Sequence, residues 1–148
     1  MKLQKRKILI FTYYWPPSGG SGVQRWLYFS KCLKDLGWDP IVITVKKSKA
    51  SYSVFDNSLE SYVNNLIVHR TDTLEPLKFY SKIFYGNSKE GIQKGEVVKK
   101  KFFHHFAAFI RGNFFIPDAR KGWVRYALKK GRELIKKEHI NYVVTTGP

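Results

Sequence analysis

A glycine-rich turn stands where a buried strand is expected to meet a helix. Residues 8–11 form a continuous apolar run, which is typical of a strand covered on both faces. Gly19, Gly20, Ser21 and Gly22 come next, just before an apolar helical pattern. Glycines allow a ligand close to the backbone, and a helix start offers unpaired N–H groups and the positive end of its dipole. The turn therefore predicts contact with a phosphate or diphosphate, with a simple tight turn as the alternative.

The turn does not match the common nucleotide-binding motifs. In the dinucleotide pattern G-x-G-x-x-G, Gly20 and Gly22 would take the first two positions, but Arg25 stands at the third. The second predicted strand ends at Lys46 and Lys47 instead of at an acidic residue that could hold a ribose. No Gly-Lys-Ser/Thr follows either, so the sequence argues against an NAD site and against a P-loop.

A second polar group opens a predicted helix near the end of the chain. Asp118 has the spacing of an N-cap, and contact with a substrate is the alternative role. Arg120 and Lys121 follow it, and both can bind a phosphate.

Cations and aromatic residues are mixed in a predicted helix over residues 94–112. Such a helix can lie in a membrane interface, with its apolar face down and its lysines on anionic headgroups. The alternative is a core helix that packs on the sheet. The candidate membrane-facing residues are Lys99, Lys100, Lys101, Phe102, Phe106 and Phe109.

The remaining elements are predicted from hydrophobic periodicity. Strands are expected over residues 7–14, 40–45, 66–70 and 141–146. A first helix begins at a capping box of Ser21 and Gln24 and ends before Gly37. Its predicted apolar face consists of Val23, Trp26, Leu27, Phe29, Leu33 and Leu36. A further helix over 121–138 has a predicted apolar face of Val124, Ala127, Leu128, Leu134 and Ile135.

This order of elements predicts an α/β fold. A strand, helix and strand of this length form a right-handed crossover, which makes the strands parallel. We expect a Rossmann-like parallel sheet with helices on both faces, and a single domain over residues 1–148.

Composition narrows the class of protein. The 148 residues are 43% hydrophobic, which excludes disorder despite a net charge of +16. The single cysteine, Cys32, excludes an intrachain disulfide framework, a cysteine-rich zinc site and an iron–sulfur cluster, and favours a reducing cytosol. Two basic blocks, residues 1–50 and 89–148, flank a nearly neutral middle and predict an anionic partner. No run is long enough to span a membrane.

Four stretches resemble one known family. Residues 7–26, which include the motif YYWPPSGGSGVQRW, and residues 36–42 resemble the opening of bacterial family-four glycosyltransferases with the GT-B fold. Residues 116–123 and 143–148 resemble two later stretches of the same N-terminal domain, in the same order. Residues 46–95 carry no such resemblance.

The resemblance implies two Rossmann-like domains that face each other across a cleft. The N-terminal domain mainly holds the acceptor, and the C-terminal domain mainly holds a nucleotide-sugar. Members transfer a sugar with retention of configuration, usually without a bound metal or other cofactor. Gly19 and Gly20 would then bring N–H groups to the donor's diphosphate or to the reacting sugar, with Ser21 and Gly22 beside them. The acceptor-side candidates are Arg25, Asp118, Arg120 and Lys121.

The resemblance covers only the acceptor-side half of such an enzyme. The C-terminal domain, with the paired glutamates that hold the donor, is absent from this sequence, so no catalytic residue is assigned. The chain is expected to be inactive alone, and to serve polysaccharide synthesis in the cytoplasm or at the inner face of the plasma membrane. The expected partners are a nucleotide-sugar, a glycan or lipid-linked acceptor, and the missing domain.

The alternative function is a non-enzymatic basic module that docks on an anionic membrane or on a partner subunit. Specific nucleic-acid binding is not expected, because no helix-turn-helix, RNA-binding or zinc-finger signature is present.

Overall fold

A computed structural model describes residues 6–74 and 120–146 of the chain. Its elements are strand β1 (Lys7–Phe11), helix α1 (Ser21–Asp35), strand β2 (Asp39–Val45), a 3₁₀ helix (Asn57–Val63), strand β3 (Ile67–Thr71), helix α2 (Lys121–Glu138) and strand β4 (Tyr142–Thr145).

The four strands form one parallel sheet in the order β3-β2-β1-β4. Leu9 of β1 lies between Ile41 of β2 and Val143 of β4, which fixes the register. The apolar runs of β1 and β2 are buried because both of their faces are covered. The predicted α/β class with a parallel sheet is confirmed.

Among the described residues, one helix covers each face of the sheet. Ile8, Ile10 and Val42 pack on α1, together with Leu59 of the 3₁₀ helix. The alternate side chains of the same strands pack on α2, and they include Leu9, Ile41 and Ile43. This alternation follows from the two-residue period of a strand.

Helix α1 begins one residue earlier than a capping box would require. Its N-cap is Gly20, Ser21 is already helical, and no side chain caps the first turn. The predicted capping box of Ser21 and Gln24 is therefore wrong. The expected end is confirmed, because Gly37 has a φ of 81° and the N–H of Trp38 donates to the carbonyl of Leu33 at 3.0 Å.

The predicted apolar face of α1 is confirmed only in part. Val23 and Leu27 are buried, and Trp26 and Leu33 pack at the margin of the same core. Phe29 and Leu36 are exposed instead. The buried surface of α1 is completed by Ser30, whose hydroxyl donates to the carbonyl of Trp26 and so needs no other partner.

Helix α2 has the predicted bounds, but its predicted buried face is confirmed only at Ala127 and Leu134. Trp123, Ala127, Gly131 and Leu134 are buried, whereas the predicted core residues Val124, Leu128 and Ile135 are exposed. The reason is close packing: a Cβ at Gly131 would lie 2.4 Å from Cζ of Phe11, so the helix approaches β1 at a residue that has no side chain. The indole N–H of Trp123 also donates to Oγ1 of Thr71 at 2.9 Å.

Several predictions fall on parts of the chain that the structure does not describe. They are the helix over 94–112 with its membrane-facing candidates Lys99, Lys100, Lys101, Phe102, Phe106 and Phe109, and the N-cap candidate Asp118. Within residues 6–74 and 120–146, neither helix has the combination of length and apolar character that crossing a bilayer requires.

Candidate functional site

The candidate site lies beyond the carboxyl ends of β1 and β4. Strand β1 has β2 on one side and β4 on the other, so the chain order reverses between β1 and β4. Ligands of open parallel sheets bind outside the carboxyl ends of the strands at such a reversal. The segments that leave the two strands stay close, since the N–H of Thr146 donates to the carbonyl of Phe11 at 3.0 Å.

The glycine turn is pinned to the segment that follows β2. The N–H of Gly19 donates to the carbonyl of Val54 at 2.9 Å, and the N–H of Asp56 donates to the carbonyl of Pro17 at 2.8 Å. A Cβ at Gly19 would lie 2.9 Å from Cγ1 of Val54, which only glycine avoids. These contacts fix the start of α1 relative to the sheet.

Gly20 gives the turn its direction. Its φ of 107° and ψ of 162° lie in a region that is essentially restricted to glycine. Its carbonyl accepts from the N–H groups of Val23 and Gln24, at 3.2 and 3.3 Å. The backbone thus enters α1 directly from a left-handed conformation, which explains the glycine at this position.

Three N–H groups remain available at the start of α1. Within the described part of the chain, those of Gly20, Ser21 and Gly22 donate no hydrogen bond, and all three residues are exposed. No acidic residue lies in the first turn to offset the helix dipole. This geometry can hold an anionic group. The N–H of Gly19 already donates to the carbonyl of Val54. The candidates for an anion contact are therefore the N–H groups of Gly20, Ser21 and Gly22, and not that of Gly19.

An aromatic cluster borders the same edge. The ring of Tyr13 lies edge-on to those of Tyr14, Tyr52 and Trp123, with centroids 5.2, 5.9 and 5.7 Å away. The hydroxyl of Tyr13 accepts from the N–H of Ser51 at 2.9 Å. The cluster therefore joins the loop after β1 to the segment after β2.

Arg120 stacks on this cluster. Its guanidinium carbon lies 5.3 Å from the ring centroid of Tyr13 and 5.0 Å from that of Tyr14, within cation–π range. Arg120 is also the N-cap residue of α2. The stacking holds a fixed positive charge at the edge of the sheet where β1 ends.

The other acceptor-side candidates lie at helix starts. Lys121 is the first residue of α2 and Arg25 lies in the second turn of α1, and both are exposed. The two helices lie on opposite faces of the sheet, and both begin at its carboxyl edge. The structure thus places Arg25, Arg120 and Lys121 at the same edge as the glycine turn.

A charge cluster after β2 and β3 was not found from the sequence. Lys46 and Lys49 bind Asp72 at 2.9 and 2.8 Å. The hydrogen bond from Lys49, followed by that from Lys46, holds the pKa of the Asp72 carboxyl below its ordinary value, and Asp72 in turn raises the pKa of Lys49. The pairing of β2 with β3 brings these residues together, and no local spacing reveals it.

Arg70 is a structural cation at this edge. Its guanidinium donates to the carbonyl of Pro16 at 2.7 Å and to that of Val45 at 3.5 Å. It therefore ties β3 to the loop that carries the glycine turn.

Within residues 6–74 and 120–146, no three His, Cys, Asp or Glu side chains come together as a metal site.

No family assignment comes from comparison with other proteins. No protein-family model, curated protein or solved structure matches the chain.

Proposed function

We propose that the chain is the acceptor-side domain of a retaining glycosyltransferase with the GT-B fold, which moves a sugar from a nucleotide-sugar to a glycan or lipid-linked acceptor. The observation that carries the proposal is the glycine turn. It follows the first strand of a parallel sheet at the point where strand order reverses, and it leaves the N–H groups of Gly20, Ser21 and Gly22 available. A diphosphate is the group that such N–H groups suit.

The residues around the turn support this assignment. The N–H groups at the start of α1 would hold the donor's diphosphate or the reacting sugar, while Arg25, Arg120 and Lys121 would meet the acceptor. Cations and N–H groups stabilise the negative charge that develops on a departing diphosphate. A second domain facing the carboxyl edge would supply most of the nucleotide contacts and would align the two substrates.

The test uses two glycine variants matched in backbone strain. Gly20 and Gly37 both have positive φ, and at neither would a Cβ meet an atom within 4 Å. They stand at opposite ends of α1. Gly20→Ala and Gly37→Ala should therefore both destabilise the fold, and only the first should affect a ligand at the glycine turn. Binding of inorganic diphosphate and of UDP-, GDP- and ADP-sugars is followed by amide chemical-shift changes.

The expected result is a shift of the Gly20, Ser21 and Gly22 amides in the unaltered chain. Alanine keeps the N–H but disfavours the φ of 107° that directs it. Gly20→Ala should therefore weaken diphosphate binding about tenfold, the contribution of one charge-assisted hydrogen bond. Gly37→Ala should bind as the unaltered chain does. Equal weakening in both variants, or shifts confined to other residues, would reject the diphosphate site.

The two-domain arrangement has its own test. The 148-residue chain should show no sugar transfer by itself, and robust turnover would contradict its role as one half of an enzyme. An antibody against this domain should detect a product more than twice as heavy as 17.3 kDa in the source cells. A band near that mass would leave a separately encoded donor domain or the non-enzymatic basic module.

A further inference from the structure

The outer surface of α2 carries a stripe of five cations. Lys121, Arg125, Lys129, Arg132 and Lys136 recur at intervals of three or four residues, so they share one side of the helix. All five are exposed. Within the described residues none of them forms an ion pair, so this cationic stripe is open to an external anion.

The acidic residues of α2 do not neutralise the stripe. Glu133 pairs with Lys130 at 2.7 Å, and Glu138 pairs with Lys7 at 2.8 Å. Glu138 lies on another side of the helix, whereas Glu133 borders the stripe next to Lys129 and Lys136. Each carboxylate has a cation of its own outside the stripe. The stripe therefore keeps a net positive charge, with one bordering carboxylate that is already paired with Lys130.

An apolar ridge runs beside the cationic stripe. It consists of Val124, Leu128 and Ile135, which are 47%, 46% and 43% exposed. Their spacing of four and seven residues places them in one row along the helix. Large aliphatic side chains in such a row are unusual on a surface that faces only water.

The packing of α2 on the sheet produces this arrangement. Trp123, Ala127, Gly131 and Leu134 face the strands, and the close approach of Gly131 to Phe11 fixes the rotation of the helix. The apolar ridge is thereby turned to the side of the helix, next to the cations. One helix thus packs on the core along one side and presents an amphipathic surface along another.

We propose that the outer surface of α2 docks on an anionic lipid bilayer, with the cationic stripe on the headgroups and the apolar ridge at the acyl boundary. Charge complementarity supports a bilayer, since basic residues near a membrane surface are attracted to anionic lipids. The ridge explains the choice of lipid over nucleic acid, because Val, Leu and Ile side chains offer no platform on which bases stack. The proposal does not depend on the transferase function, and it uses residues other than the predicted membrane-facing helix.

The test is co-sedimentation of the full chain with vesicles of phosphatidylcholine alone or mixed with phosphatidylserine. Arg125→Gln/Arg132→Gln removes two stripe charges, and Leu128→Ser/Ile135→Ser removes two ridge side chains. The controls lie on α1, which covers the other face of the sheet. Lys31→Gln/Lys34→Gln matches the change in net charge, and Phe29→Ser/Leu36→Ser matches the loss of exposed apolar side chains. Circular dichroism checks that every variant folds.

The chain should bind the anionic vesicles and not those of phosphatidylcholine alone. Each stripe charge removed should lower the partition coefficient about fivefold, and the ridge double variant should lower it about tenfold or more. Both α1 controls should bind as the unaltered chain does. If the stripe variant and its charge-matched control lose vesicle binding equally, the binding depends only on net charge, and the proposal is overturned.

Three further outcomes would also overturn the proposal. One is unchanged vesicle binding by the ridge variant. A second is loss of binding to single-stranded RNA by the stripe variant while its vesicle binding is retained, which would assign the stripe to nucleic acid. The third is a change of oligomeric state in the ridge variant without a change in vesicle binding, since the ridge would then be a contact between copies of the chain.

Discussion

The pKa of His69 reflects the position of this residue in the fold. It lies on β3 opposite Ile43 of β2, on the face that α2 covers. Burial lowers the pKa of its imidazole, and the charge of Lys130 lowers it further. The more weakly acting groups Glu133 and Glu138 raise the pKa, and Lys137 lowers it. His69 therefore stays neutral in the folded chain at pH values where an exposed histidine would be charged.

This shift predicts a loss of stability in mild acid. Below the ordinary pKa of 6.5 the unfolded chain takes up a proton that folded His69 resists, so the free energy of unfolding falls as the pH drops toward the lowered pKa. His69→Gln should reduce this slope between about pH 5 and 7. Urea denaturation across that range measures it, and data at about pH 8 isolate the packing change. An unchanged slope in the variant would contradict the prediction.

Single residues also show how far the sequence alone leads. Gly37 was predicted at the end of α1, because glycine is the usual residue where a helix ends with a positive φ. At the start of α1 the prediction chose Ser21, and the structure has Gly20 as the N-cap. The role of Gly131 could not be predicted, since it depends on Phe11, more than a hundred residues away in the chain. The engagement of the Gly19 N–H by Val54 is equally non-local.

At the scale of elements, the two helices were placed correctly, but the buried face of each was predicted only in part. Hydrophobic periodicity gives most weight to large side chains, so the predicted buried face of α2 included Val124, Leu128 and Ile135 beside Ala127 and Leu134. The helix approaches the sheet at Ala127, as predicted, and at Gly131, which was not predicted, because small residues let a helix axis come close to the strands. The sheet order was implied only through the parallel crossover, and β4 pairing with β1 needed the structure.

The close contact between α2 and β1 predicts a specific coupling. Gly131→Ala alone should destabilise the fold by about 1 kcal/mol, since strain against the ring of Phe11 exceeds the gain in helix propensity. In a Phe11→Leu background the clashing Cζ is gone, so the same change should be neutral or stabilising. Urea denaturation of the four proteins forms a double-mutant cycle. Equal effects of Gly131→Ala in both backgrounds would show that Phe11 does not limit the approach.

At the scale of the whole molecule, electrostatic repulsion among the cations opposes the compact folded state. The sheet can bury its apolar runs only by bringing a chain of net charge +16 into a compact volume. The ion pairs among the described residues are all at least partly exposed, so each contributes about 0–1 kcal/mol at most. Repulsion among the remaining cations is therefore the larger electrostatic term.

This balance predicts that added salt stabilises the isolated chain. Screening shortens the range of repulsion between exposed cations, while it weakens only a few surface ion pairs. The urea midpoint should therefore rise when sodium chloride is increased from low to physiological concentration. Because anion binding at the cationic stripe would also raise the midpoint, the measurement is repeated with Arg125→Gln/Arg132→Gln. An equal rise in that variant would exclude anion binding at these two residues as the cause, whereas a smaller rise would mean that the stripe contributes through repulsion or through anion binding. A urea midpoint that falls with salt would contradict the prediction, because it would mean that attraction within the ion pairs exceeds the repulsion that arises from the net charge of +16.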